Sequence, residues 1–391
     1  MSFFSGYSFF VYLFLLLLPA MILGYLEQPL RGYRRFLTAF FIWAVYRGNP
    51  GELLYLLIYA VLSVYLVRFY LFLRMRYGRN RYLYGHAVCI ALAPLLVCKI
   101  SGLYGKNWFA FLGISYMVFR VVQVVIEIYD GVIEEINEIE FLEFILFFPC
   151  LSSGPIDRSR RFAEDSRRIY NRSEYGNMAA AGIDKLVLGM FYKIVCSAMC
   201  YKLLTDVFAG RYKPVYLAGY AYVYGLYLFF DFAGYSYMAA GVSYMLGIRM
   251  PDNFNRPFLS VDMKDFWGRW HITLSSWFRD FIFTRFMLDS ARKKRFKKRL
   301  NGAAAGLMLN MAVMGLWHGL KPQYIVYGLY HGLLMAATEI YQKKSGFYRE
   351  NREKKWYKAL SWFVTLNMAM FGFLIFSGYL GEAWRAVRVY L

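Results

Sequence analysis

The sequence predicts an all-α, polytopic membrane protein with about eleven transmembrane helices and a few shorter re-entrant or interfacial ones. Three observations carry this. Of 391 residues, 59% are hydrophobic and 18% charged, against about 45–50% and about 25% in soluble domains. The apolar residues come in runs, and 1–26 holds no charge at all, which exceeds the roughly 20 residues that cross a bilayer. The net charge of +21 gathers in short loops between those runs, the distribution expected of a multi-pass protein whose basic loops stay in the cytoplasm. A soluble enzyme, a disordered chain and a disulfide scaffold are excluded. The basic charge is assigned to topology and membrane lipid, not to nucleic acid.

In chain order, the apolar runs are 7–26, 36–47, 53–73, 84–100, 108–129, 141–151, 177–208, 213–247, 277–289, 302–320, 323–342 and 356–380. The first lacks a basic leading region and a cleavage site, so it reads as a retained span. Runs 36–47 and 277–289 are too short to cross alone and are expected to be re-entrant or interfacial. Run 213–247 is too long for one span and is expected to break at Gly234. Arg31, Arg34 and Arg35 follow the first span, which places that end in the cytoplasm and the N-terminus outside. Further basic loops hold Arg74, Arg76, Arg79 and Arg81, then residues 158–172, then 292–299, where seven of eight residues are basic, and last 343–358. One segment has the opposite sign, from Glu127 to Glu140, and the sequence does not assign its side. With no repeat and no linker, residues 1–391 read as one domain. The five cysteines show no metal-type or disulfide spacing and read as buried thiols.

Only four histidines occur, His86, His271, His318 and His331. His318 closes an otherwise uncharged stretch from Gly302 to Leu320 that starts beside the densest basic loop. As a helix, this stretch carries His318 about 24 Å into the bilayer. An ionisable group at that depth is a functional-site hypothesis, and a neutral imidazole suits a general base. The alternative is a histidine bonded between helices. Gly315 and Gly319 beside it allow close backbone approach. His331, in the returning span, fits structure and function equally. His271 falls in an apolar-periodic stretch (Trp270, Leu274, Trp277, Phe278, Phe281, Ile282) that predicts an amphipathic helix, with His271, Ser275 and Arg279 on its polar strip; a plain interfacial helix would show the same pattern. Asp231, inside an apolar run, is expected to pair with a basic residue. No Walker loop, dinucleotide fingerprint, zinc-protease motif or nucleophile elbow is present. No metal site is expected, and any chemistry must rest on the histidines and on a group brought by a partner.

Six stretches make the chain recognisable: Gly113–Arg120, Ser153–Arg158, Phe230–Ser236, Pro251–Phe258, Phe266–Ser275 and Gly315–Gly319. Together they resemble the membrane-bound O-acyltransferase family, in the branch that modifies teichoic acid with D-alanine in Gram-positive bacteria. Related acetyl-transferring members often carry an acid where this chain has Tyr237. The resemblance implies a ring of helices around a central tunnel, His318 as the catalytic histidine and His271 as the second active-site histidine. It also implies a donor in which D-alanine is thioester-linked to phosphopantetheine on a small, acidic cytoplasmic carrier protein, with no cofactor held by the chain itself. The acceptor is expected to be a hydroxyl on the outer side, of the polymer or of a relay protein. On this reading His318 deprotonates that hydroxyl and His271 stabilises the oxyanion, either protonated or through an N–H. Trp267 and Trp317 shape the tunnel, and Arg269 and Ser275 bind substrate. Met287 and Leu288 form an apolar docking patch beside the basic loop, which steers the carrier. The competing readings are acetyl transfer to a polysaccharide on the same fold and a transporter or flippase.

Overall fold

The computed structural model describes residues 2–388. Its regular structure is helical; β-pairing among the described residues is confined to two isolated bridges, Ser2 with Ser5 and Phe254 with Trp270. The helices are α1 (Tyr7–Tyr25), α2 (Arg31–Tyr46), α3 (Pro50–Tyr77), α4 (Arg81–Leu103), α5 (Ile114–Asp130), α6 (Glu138–Leu146), α7 (Ser159–Arg167), α8 (Arg172–Met190), α9 (Ser197–Leu203), α10 (Pro214–Met245), α11 (Met263–Arg269), α12 (Ile272–Phe278), α13 (Thr284–Arg292), α14 (Arg299–His318), α15 (Pro322–Lys344), α16 (Gly346–Asn351), α17 (Lys355–Ser377) and α18 (Tyr379–Arg388). Each apolar run of the sequence overlaps one of these helices or a run of successive ones, although run 108–129 is helical only from Ile114. Six stretches are long and apolar enough to cross a membrane: α1, α3, α4, Arg172–Phe208, α14 and α17. Helices α10 and α15 fall outside that group because tyrosine, glycine and histidine dilute their apolar character, so the expected count of eleven is not established.

Local chemistry sets several boundaries. Asn49, Asn80, Asn137 and Asn171 precede α3, α4, α6 and α8, and each side chain accepts a hydrogen bond from a main-chain N–H of the first turn, the arrangement that satisfies orphan donors at a helix start. The predicted break at Gly234 does not occur; α10 runs unbroken through it. A glycine costs about 1 kcal/mol in a helix, whereas an opened helix strands main-chain groups that hydrocarbon cannot satisfy.

The chain forms two compact units, Met1–Met190 with Tyr235–Asp252, and Phe191–Gly234 with Asn253–Leu391. In the first, two buried arginines act as hubs. Arg34 donates to Glu143, to the Ser166 hydroxyl and to the Leu246 carbonyl, and Arg120 donates to the carbonyls of Phe144, Ile145 and Cys150. The acidic segment finds its counter-charges here. Glu140 pairs with Arg31 and Arg167, Glu138 with Arg68 and Asp130 with Arg79. The acids therefore lie on the same side as the basic loops at 31–35, 74–81 and 158–172.

In the second unit, Asp231 has the basic partner its sequence context demanded, Lys193 Nζ at 2.5 Å. Helices α14 and α15 form a tight antiparallel hairpin. A Cβ at Gly315 would sit 2.5 Å from the Tyr324 carbonyl oxygen, and one at Gly328 2.6 Å from that of Met311. The glycines allow the two backbones to touch, as the sequence suggested for Gly315. Gly319 lies against the Tyr324 ring, where a Cβ would come within 2.5 Å of it.

Candidate active site

The predicted amphipathic helix through Trp270 and His271 is instead two helices joined by a turn. His271 is the residue before α12 and adopts a left-handed conformation, φ 45°. Asn253 holds the turn. Its carbonyl accepts from Ile272 N, and its side-chain Oδ1 accepts from Thr273 N at 3.2 Å and Thr273 Oγ1 at 2.6 Å. The Arg269 carbonyl accepts from Asn255 N. These bonds to the 253–255 segment replace the helical ones that the periodicity predicted.

The same asparagine fixes the tautomer of His271. A main-chain N–H can donate only to the amide oxygen, so Oδ1 is the atom facing Thr273. His271 Nδ1, 3.3 Å from that oxygen, must then carry the hydrogen. Nε2 is left with its lone pair, buried and without a partner. The imidazole sits in the short-helix stretch, outside the spanning helices. Burial, with the nearby His318 as second cause, holds it far below the usual histidine range, at about 3. A neutral His271 bearing its hydrogen on Nδ1 is an acceptor at Nε2. The expected oxyanion-donor role does not fit that nitrogen.

His318 is the last residue of α14, not one in mid-helix, and α15 begins four residues later. Its ring lies among Trp317 (4.7 Å), Phe376 (5.0 Å) and Tyr327 (6.1 Å). The two histidines are thus brought within electrostatic reach across some 47 residues of sequence. Trp267 is buried and donates from Nε1 to Nδ1 of the fully buried His331 at 3.4 Å. His331 in turn stacks edge-on to Tyr327. Thus His331 anchors the Trp267 indole, a role the sequence left open.

A cavity of about 1200 Å³ runs beside α12, α13, α14 and the end of α15. Trp267, Ser275, Met287 and Leu288 line it, and on α14 its wall extends from Arg299 to Met314, one turn before His318. Leu288 is exposed and Met287 half-buried. Arg269 is not part of this wall; it pairs with Asp265 at 2.7 Å. Trp317 packs on His318 and also lies off the cavity. Sequence reasoning missed Asn253, Thr273 and Asn310. Asn253 belongs to a matching stretch, but nothing in its spacing to His271 announces a contact made through a turn.

The model of the membrane-bound O-acyltransferase family matches residues 108–381. The chain is 37% identical to the teichoic acid D-alanyltransferase of Bacillus subtilis, over 96% of this chain and 98% of that protein. It is 38% identical to the teichoic acid D-alanyltransferase of Streptococcus thermophilus, over 96% and 95%. A probable alginate O-acetylase of Pseudomonas aeruginosa is 32% identical over 70% of this chain but only 50% of its own length. A multi-pass helical membrane protein whose cavity wall stops short of both histidines, this chain belongs to the membrane-bound O-acyltransferase family.

Proposed function

We propose that this protein transfers D-alanine from a phosphopantetheine thioester on an acidic cytoplasmic carrier to a hydroxyl on the outer side of the membrane, for the D-alanylation of teichoic acid. The observation that carries this reading is similarity to teichoic acid D-alanyltransferases over 96% of this chain and at least 95% of the two relatives. Acetyl transfer to a polysaccharide finds its support in the alginate O-acetylase, which is matched over half its length. A transporter finds none.

In the proposed reaction the donor arm enters along the cavity from the basic end of α14. His318 accepts the proton of the acceptor hydroxyl as its oxygen attacks the thioester carbonyl. The C–S bond then breaks, His318 returns the proton to the leaving sulfur, and an ester and a free thiol result. His271, neutral and with its lone pair on Nε2, takes no part in moving that single proton; its Nε2 accepts a hydrogen bond from the ammonium of the D-alanyl group and so holds the thioester carbonyl toward the hydroxyl. His318→Ala should insert and fold normally yet lose about 10²–10⁴-fold in transfer from a loaded carrier to the acceptor; near-normal transfer would overturn the assignment.

The carrier is proposed to dock on Met287 and Leu288, with 292–299 steering it by charge. Leu288→Asp should weaken carrier binding at every salt concentration. Neutralising Lys297 and Lys298 should instead slow association and flatten its salt dependence. Unchanged affinity in both Met287→Asp and Leu288→Asp removes the patch from the proposal and leaves the chemistry intact.

A further inference from the structure

The cavity wall contributed by α14 is graded along the helix. Arg299 stands at its start, with no acidic partner among the described residues, and Lys343 at the end of α15 lines the same region. Beyond them the wall is apolar, with Leu307, Met311 and Met314, and a single amide interrupts it, Asn310. The Asn310 Oδ1 is buried and has no hydrogen-bond partner in the protein. Buried polar atoms are nearly always paired, so an orphan in a cavity wall marks a place where a ligand brings the missing group. Asn310 lies eleven residues beyond Arg299 and eight before His318, ~17 Å and ~12 Å of helix rise.

We propose that Asn310 Oδ1 accepts a hydrogen bond from an amide N–H of the donor arm and so sets how far the thioester reaches toward His318. The inference rests on the donor reading above. Along a phosphopantetheine arm the groups come in the order phosphate, two amides, thioester. Along α14 the order is a cation, one amide acceptor and, a turn beyond the last residue of the wall, the histidine. An aliphatic acyl chain would gain nothing from an acceptor at this point, whereas a secondary amide of the arm supplies an N–H to the orphan oxygen.

The test uses purified full-length protein in detergent and carriers bearing a non-transferable thioether arm, either native or with one amide N–H at a time replaced by an ester oxygen. Kd is measured for wild type, Asn310→Leu, which keeps the volume and removes the acceptor, and Asn310→Asp, which keeps acceptor oxygens. One of the two ester arms is expected to bind wild type about tenfold more weakly. Asn310→Leu should bind the native arm about tenfold more weakly and no longer distinguish that ester arm, while Asn310→Asp still does. Equal discrimination by wild type and Asn310→Leu overturns the assignment; so does the absence of discrimination by wild type, an outcome that stands even if Asn310→Leu is unstable. Transfer of D-alanine from the native loaded carrier by wild type is the separate check. Its absence overturns the donor reading, and this assignment with it, whereas transfer without arm discrimination overturns this assignment only.

Discussion

A hydrogen on Nδ1 of His271 decides what its other nitrogen can do. Asn253 Oδ1 is committed to acceptor duty by the Thr273 N–H, and that commitment passes to the imidazole. Burial keeps the ring neutral down to a pH near 3. The sign follows: lowering the pH from 8 to 5 adds no proton to His271, so any acid limb of the transfer rate in that window belongs to another group. His271→Asn should reduce the rate about tenfold or more and leave the midpoint of the acid limb where it was. A midpoint displaced by a full unit would make His271 the titrating base and reverse the roles of the two histidines. The sequence made both histidines legible because they are two of only four and one ends an uncharged span. It did not show their bonding. The tautomer depends on Asn253, eighteen residues upstream, held by a turn that hydrophobic periodicity reads as helix.

At the scale of the element, the α14–α15 hairpin does most to position the site. It carries His318 at its tip and Tyr327, which touches the His318 and His331 rings. Its closeness depends on glycines facing backbone. Gly328→Val would drive side-chain carbons against the Met311 carbonyl and the Gly315 Cα, at 2.6 and 2.9 Å from the first added atom. Backbone cannot rotate away as a side chain can, so the helices must separate. We expect a loss of about 1–3 kcal/mol in stability and a fall in transfer, read by thermal unfolding in detergent and by single-turnover rate. Gly85→Ala, in α4 at a position with open space around it and away from the cavity, is the control and should change neither. A Gly328→Val protein that melts and reacts like wild type would disprove the hairpin packing. Element positions were legible wherever a long apolar run met an asparagine cap or a basic loop. The continuity of α10 through Gly234 was not, since a glycine marks a permitted bend and the surrounding medium determines whether the helix takes it.

Across the whole molecule, the stretches by which the chain resembles its family divide by what they do. Gly113–Arg120 and Ser153–Arg158 are packing devices of the first unit, with Arg120 holding three carbonyls and Asp157 paired to Arg161. Phe266–Ser275 and Gly315–Gly319 carry the histidines in the second. A sequence pattern weights both kinds alike; only hydrogen bonds and burial separate them. Charge then orients the whole. Residues 127–140 carry six acids and no base, and nothing in their order assigns them to either side. Their pairing with Arg31, Arg68, Arg79 and Arg167 neutralises them among the basic loops, so they do not argue against a cytoplasmic position for those loops. If the 31–35 loop is in the cytoplasm, one crossing by α1 puts the N-terminus outside, the orientation proposed from the basic loops. Cysteine labelling in intact cells tests this, in a background from which the exposed Cys89 has been removed. Ser290 is buried and would resist a reagent from either side, so the loop is probed at the exposed Lys297 and the N-terminus at the exposed Ser5. An impermeant thiol reagent applied outside should label Ser5→Cys and not Lys297→Cys, and permeabilisation should admit it to Lys297→Cys. The reverse pattern would invert the molecule, and the donor arm would then have to reach His318 from the other face.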